Sequence, residues 1–355
     1  LGSNVTAKPA EVHLCGSIPL AGAGAVFKAV SETLGGAVRR IPDGETGGRL
    51  SWLGWQNSVF EGDPNFEAIA SDGDYRAATT PEWMRQTTWF KLKEGIDAGA
   101  IEIAPFGYAR HAIESYAEFE KQVAAGVVDG GARFMVAIPA PFNVLNSAIA
   151  PADRLRIEPA FEARLYRELD EIAAAIPHNK LAIQWDCAQD MQAYDGARQT
   201  YFEDSRDGLV ERWLRIAAHV PGEIEMGYHL CYGSLGGKHF VEPKDMASMV
   251  EVANRICADA GRTVEFFHMP VPVERDDDAY FSALGDLALA PETELYLGLI
   301  HDSDGAEGSR RRIEAADKFC GQYGIATECG FGRRDADTVA HLIELHATLA
   351  AERSG

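Results

Sequence analysis

The strongest constraint on this chain is a rhythm. Eight short apolar runs recur along it, separated by longer stretches with helical patterning. The runs are VHLCG from Val12, AVRRIPDGE from Ala37, FMVAIPAP from Phe134, LAIQWD from Leu181, EMGYHLC from Glu225, VEFFHM from Val264, LYLGLIHD from Leu295 and GIATECG from Gly324. Strands alternating with helices predict a parallel α/β sheet, and eight such units predict a TIM-type (β/α)8 barrel. Between the runs, Leu165, Leu169, Ile172 and Ile176 fall at helical spacing, which predicts an amphipathic helix over 162–176.

A ninth run, AIEIAPFGY from Ala100, does not fit the count and is read as part of an excursion between the second and third strands. The doubly wound alternative lacks its signatures, because no G-x-G-x-x-G opens a helix and no G-x-x-x-x-G-K-[ST] occurs. PLAGAG reads as a loop leading into a helix. With no repeat or low-complexity linker, residues 12–355 are expected to form a single barrel domain. Residues 1–11 are expected to be a cloning remnant and tail, with no export signal.

Composition removes several function classes. The chain has 54 Asp plus Glu against 33 Lys plus Arg, a net charge of −21, so neither nucleic acid nor an anionic membrane surface is an expected partner. No run of about 18 apolar residues offers a membrane span. Six cysteines in 355 residues are too dilute for a disulfide framework, which points to a reducing cytoplasm and to metal binding or nucleophilic chemistry for any special cysteine.

Nearly every run ends in a polar or reactive residue: Ser17, Asp43 and Glu45, Asn143, Asp186, His229 and Cys231, His268, His301, and Cys329. A (β/α)8 barrel gathers such residues at its C-terminal mouth. His229 and Cys231 are two apart, so strand alternation turns both to one face, toward one ion. Cys329 joins them only if the barrel brings its strand alongside. A His, two Cys and one further ligand suit zinc. The bland reading of His-x-Cys is a buried thiol beside a hydrogen-bonded histidine. Cys15, Cys187, Cys257 and Cys320 read as ordinary core residues; Trp52, Trp55 and Phe60 read as core packing ahead of stacking on a planar ring of a donor, and Arg333 and Arg334 as surface residues solvating a helix start ahead of an anion site.

GSIPL (Gly16 to Leu20), DGE (Asp43 to Glu45), IQWD (Ile183 to Asp186), HLC (His229 to Cys231), LIH (Leu299 to His301) and ECGFGRR (Glu328 to Arg334) stand in one order. In that order they resemble the strand-end motifs of the cobalamin-independent methionine synthase family, specifically its C-terminal catalytic barrel, within the uroporphyrinogen decarboxylase/methionine synthase-like superfamily. The resemblance implies a zinc-dependent methyl or alkyl transferase that activates a thiol acceptor. It implies His229, Cys231 and Cys329 as metal ligands and a Glu from a later strand as the fourth; in the corresponding run VEFFHM, His268 at the strand end is preferred over Glu265. It implies Ser17, Glu45 and Asp186 as substrate-binding residues and His301 as proton donor. The implied partners are small molecules, a thiol and a methyl donor such as a folate, and homo-oligomers are allowed. Departures leave donor and acceptor open: Asp186-Cys187-Ala188 stands where the family has Asp-Glu-Pro, and the glycine-rich YGSLGGKHFVEPKD follows the His-x-Cys motif. Two alternatives remain. One is a zinc-dependent lyase or demethylase of the same superfamily, the other a non-catalytic protein with a closed zinc site.

Overall fold

The computed structural model describes residues 11–71, 88–234 and 238–354. The expected tail up to residue 10 and the centre of the glycine-rich insertion, 235–237, lie outside the described residues. Seven strands form one parallel sheet in the order β1 (Arg40–Pro42), β4 (Arg133–Pro139), β5 (Leu181–Cys187), β6 (Glu225–Leu230), β7 (Phe266–Pro270), β8 (Glu294–Ile300) and β9 (Gly324–Thr327). The first expected strand is reduced to bridges, and those bridges join the two edges of the sheet. Val12 pairs in parallel with Val38 ahead of β1 and with Ile325 in β9, through Val12 N–H to Ala37 O at 2.9 Å and Ile325 N–H to Glu11 O at 2.8 Å. The architecture is the expected TIM-like α/β barrel.

Two populations of side chain follow from strand alternation. Outward residues such as Ile183, Trp185, Tyr228 and Leu230 are buried beneath the surrounding helices. Inward residues fill the bore, where Met135, Ala182, Phe266 and Tyr296 form a separate apolar layer. The helix expected over 162–176 is part of Arg154–Ala175, and Leu165, Leu169, Ile172 and Ile176 are all buried. PLAGAG leads into the helix Ala23–Leu34.

The excursion lies between β1 and β4, the second and third strands of the barrel count. It contains an antiparallel pair, β2 (Phe66–Ala70) and β3 (Thr88–Leu92), in the register Phe66 to Leu92. Ala100 to Phe106 forms no strand, and the helix Tyr108–Ala124 follows. Hydrogen bonds from Ala150 N–H to Phe90 O at 2.9 Å and from Leu92 N–H to Asp153 Oδ2 at 3.0 Å fasten the pair to the barrel. Phe60 packs against Phe66 and Phe90, as a core residue should. No described helix is long and apolar enough to cross a membrane.

Candidate metal and substrate site

Parallel register sets the first row of the site. Pro139 pairs with Asp186 across β4 and β5, Asp186 with His229 across β5 and β6, and His229 with His268 across β6 and β7. Asp186, His229 and His268 therefore stand at one level on successive strands. Cys231 follows two residues after His229, and its N–H reaches Cys187 O at 3.3 Å. Cys329 follows the end of β9, and its Sγ lies 3.7 Å from that of Cys231. The ligand atoms of His229, Cys231 and Cys329 all lie within 4.8 Å of one another. The barrel brings together a histidine and two thiols drawn from segments nearly a hundred residues apart.

These donors suit a borderline-soft ion such as zinc. His229 Nε2 is buried without a hydrogen-bond partner, an arrangement that a metal bond would satisfy. The two thiols act as a pair. The Cys231 S–H directed at Cys329, together with Arg333, holds Cys329 below the ordinary thiol range, whereas the same contact and burial push Cys231 up. Cys231 Sγ also accepts the Gly233 N–H at 3.1 Å.

His268 lies outside that triad and falls in a second group with Cys15 and His229. The other candidate fourth ligand, Glu265, precedes β7 and accepts the Met226 N–H at 2.7 Å, near the starts of the strands rather than at the mouth.

A cavity of about 390 Å3, counting its open mouth, adjoins the thiols. It is lined by Cys15, Ser17, Glu45, Trp52, Asp186, His229, Cys231, Cys329 and Arg333, with Ala188, Gly233 and Gly330. All three expected substrate-binding residues are on its wall. Ser17 Oγ accepts the Gly332 N–H at 3.1 Å, and a Cβ on Gly330 would approach that oxygen to 2.5 Å, so the Cys-Gly turn needs glycine there. Glu45 has φ 47° and Trp52 φ 56°, both left-handed positions that cost a non-glycine residue energy and that cluster at functional sites.

The electrostatics of this wall are unusual. Burial raises Asp186 to about 7, against hydrogen bonds from Gln184 Nε2 at 2.9 Å and Trp52 Nε1 at 3.3 Å and the charge of Arg333. Burial, then the charges of Asp186 and Asp43, push Glu45 well above the carboxylate range. Asp43 is engaged elsewhere, paired with Arg49 at 2.7 Å and accepting from Ser115 Oγ at 2.7 Å. Asn143 steadies Asp186 from behind, donating to its carbonyl oxygen at 3.0 Å.

His301 is not on the cavity wall. Its Nε2 donates to Val271 O at 2.8 Å, its Nδ1 lies 3.7 Å from Glu328 Oε2, and burial lowers it to about 4. Glu328 is itself held by Arg334 at 2.7 Å and Ser234 at 3.0 Å.

No family model matches the sequence, and neither does any curated protein. Solved structures do match in shape. A B12-independent methionine synthase from Shewanella sp. W3-18-1, in complex with selenomethionine, superposes with a TM-score of 0.58 at 15% identity, over 99% of this chain and 96% of that one. A methyltransferase from Methanosarcina mazei gives 0.56 at 12% identity, over 97% and 95%. The chain shares the barrel fold of these structures.

Within that barrel, three residues stand at the site rather than where their first reading put them. Cys15, taken as core, lines the cavity beside the histidines; the signal was its position two residues before Ser17 in the same segment. Trp52, taken as packing, donates to Asp186, and no sequence signal places it there. Arg333 lines the cavity, whereas Arg334 is buried on Glu328 rather than solvated.

Proposed function

We propose that the protein is a zinc-dependent methyl or alkyl transferase whose acceptor is a thiol carrying an ammonium group. One observation carries the reading: His229 Nε2, buried and unpartnered, stands with the thiols of Cys231 and Cys329 on the wall of a cavity that also presents Glu45 and Asp186. His229, Cys231 and Cys329 would hold the ion. A zinc ion bound there supplies thiol activation, lowering the acceptor's pKa from near 8.5 so that it is a nucleophile at neutral pH.

This chain's own residues do the rest. Glu45 and Asp186 bind the ammonium group, which supplies the counter-charge that their burial withholds. Arg333, on the same wall, offers a cation to an acidic group of the substrate. Trp52 excludes water above Asp186, and Asn143 and Gln184 keep that carboxylate in place. Alkyl transfer needs little covalent help, so this positioning accounts for much of the expected rate. A proton-donor role for His301 requires its Nε2–H to turn away from Val271. Three ligands beside open space favour a catalytic site over a closed structural one. The methyl donor, folate or otherwise, and a cytoplasmic setting belong to this proposal.

Elemental analysis and zinc X-ray absorption test it. About one zinc per chain is expected, lost in Cys231→Ser and Cys329→Ser, with an added sulfur in the zinc shell when homocysteine is supplied. A spectrum unchanged across a panel of amino-acid thiols would sink the alkyl-transfer reading.

A further inference from the structure

His268 occupies the place where a fourth metal ligand is expected, yet its contacts assign it other work. Its Nδ1 lies 2.6 Å from Nδ1 of His229, its register partner on β6. Two imidazole nitrogens at that separation need one proton between them. Two nitrogens bound to one tetrahedral zinc at about 2.05 Å would instead stand about 3.3 Å apart.

The far side of His268 decides which ring owns the proton. Its Nε2 lies 3.0 Å from Thr327 O, and a carbonyl oxygen only accepts, so Nε2 carries a hydrogen. A doubly protonated ring would be a fully buried charge with no carboxylate hydrogen-bonded to it among the described residues, which is costly. His268 is therefore neutral with its lone pair on Nδ1, and the shared proton sits on His229 Nδ1. His229 Nε2 is left as a bare lone pair, and it is that atom which has no partner.

From this chain we infer that His268 is a positioning residue: it locks the tautomer of His229 that presents Nε2 to the metal, and it is not itself a ligand. Thr327 completes the arrangement, because its Oγ1 donates to Cys329 O at 2.6 Å. A continuous path, His229 to His268 to Thr327 to Cys329, ties together the two strand ends that carry metal donors. Outer partners of this kind typically change metal affinity by about 10- to 100-fold when removed.

The inference rests on the zinc reading for its consequence but not for its first test. Nitrogen-15 NMR of the histidine rings in metal-free protein should show His268 as the Nε2–H tautomer and His229 as the Nδ1–H tautomer; the reverse assignment overturns it, whether or not zinc binds. In zinc-loaded protein, X-ray absorption should report one imidazole per zinc. Two imidazoles would overturn the inference while leaving the zinc reading intact. His268→Asn supplies an amide oxygen to accept from His229 Nδ1–H, so it should keep zinc within about tenfold of wild-type affinity, whereas His268→Ala should lose about 10- to 100-fold. Equal loss in both variants, with the imidazole count falling by one, would show a ligand.

Discussion

At the mouth of the barrel, Asp186 combines a raised carboxyl with the ammonium-binding role proposed for it. Burial places its titration near pH 7, and Glu45 beside it is pushed upward as well, by burial and then by the charges of Asp186 and Asp43. An ammonium ligand needs these groups ionised. Affinity for an amino-acid thiol or its thioether should therefore increase as pH rises through about 7, as isothermal titration calorimetry at several pH values would record. Asp186→Asn should weaken binding at high pH by about tenfold or more, the cost of a lost charged hydrogen bond, and flatten the pH dependence. A pH-independent affinity in the wild type would show that the carboxylates do not hold the ammonium group.

Among the elements, the short strand β1 is anchored by charge as much as by pairing. Arg40 reaches across the base of the bore to Glu225 at the start of β6 at 2.6 Å and to Glu294 at the start of β8 at 2.7 Å, with the Phe266 ring 4.4 Å beneath its guanidinium. Arg133 and Arg39 pair with the same carboxylates from the rim. Removing one partner of a buried pair leaves an uncompensated charge and costs about 3–5 kcal/mol. With the rim arginines still present, Arg40→Met should lose about 3 kcal/mol, read as a lower urea midpoint. A loss under about 1 kcal/mol would show that the rim pairs suffice. Stability at this end and chemistry at the other are separated along the same strands, so the substitution should leave zinc content per folded chain unchanged.

For the whole molecule, pH reads the balance of buried groups. His13 and His229 are pushed well below the usual imidazole value, His268 to about 3, and His301 and His346 to about 4, each chiefly by burial. The unfolded chain binds their protons below about 6.5 and the folded chain does not, so stability rises with pH from about 4 to 6.5. Asp186 and Asp190, both raised to about 7 by burial, and Glu45 and Glu265, also raised chiefly by burial, act oppositely: their contribution is full below the ordinary carboxylate values and is lost as pH rises through the raised ones. Five imidazoles outnumber these four carboxyls on the acid side. Metal-free protein should be most stable near neutrality, and urea midpoints measured from pH 4 to 9 would contradict this if the maximum fell below pH 5.

The rhythm of apolar runs carried the barrel, the excursion and the convergence of Ser17, Glu45, Asp186, His229, Cys231 and Cys329 at one mouth, because strand periodicity is local and the barrel turns order along the chain into proximity. The antiparallel pair β2 and β3 was not legible, since FEAIA and TWFKL are short and stabilised mainly by packing on Phe60 and by ties to the segment around Ile149. Tertiary structure alone decided which atoms face one another. Trp52 reaches Asp186 across 134 residues, Cys15 lies against the histidines, and His268 turns one nitrogen to His229 and the other to Thr327. Residue type and spacing name the donors present, but hydrogen-bond direction and ring tautomer depend on partners set by folding, and those partners determine which lone pair is left for a metal.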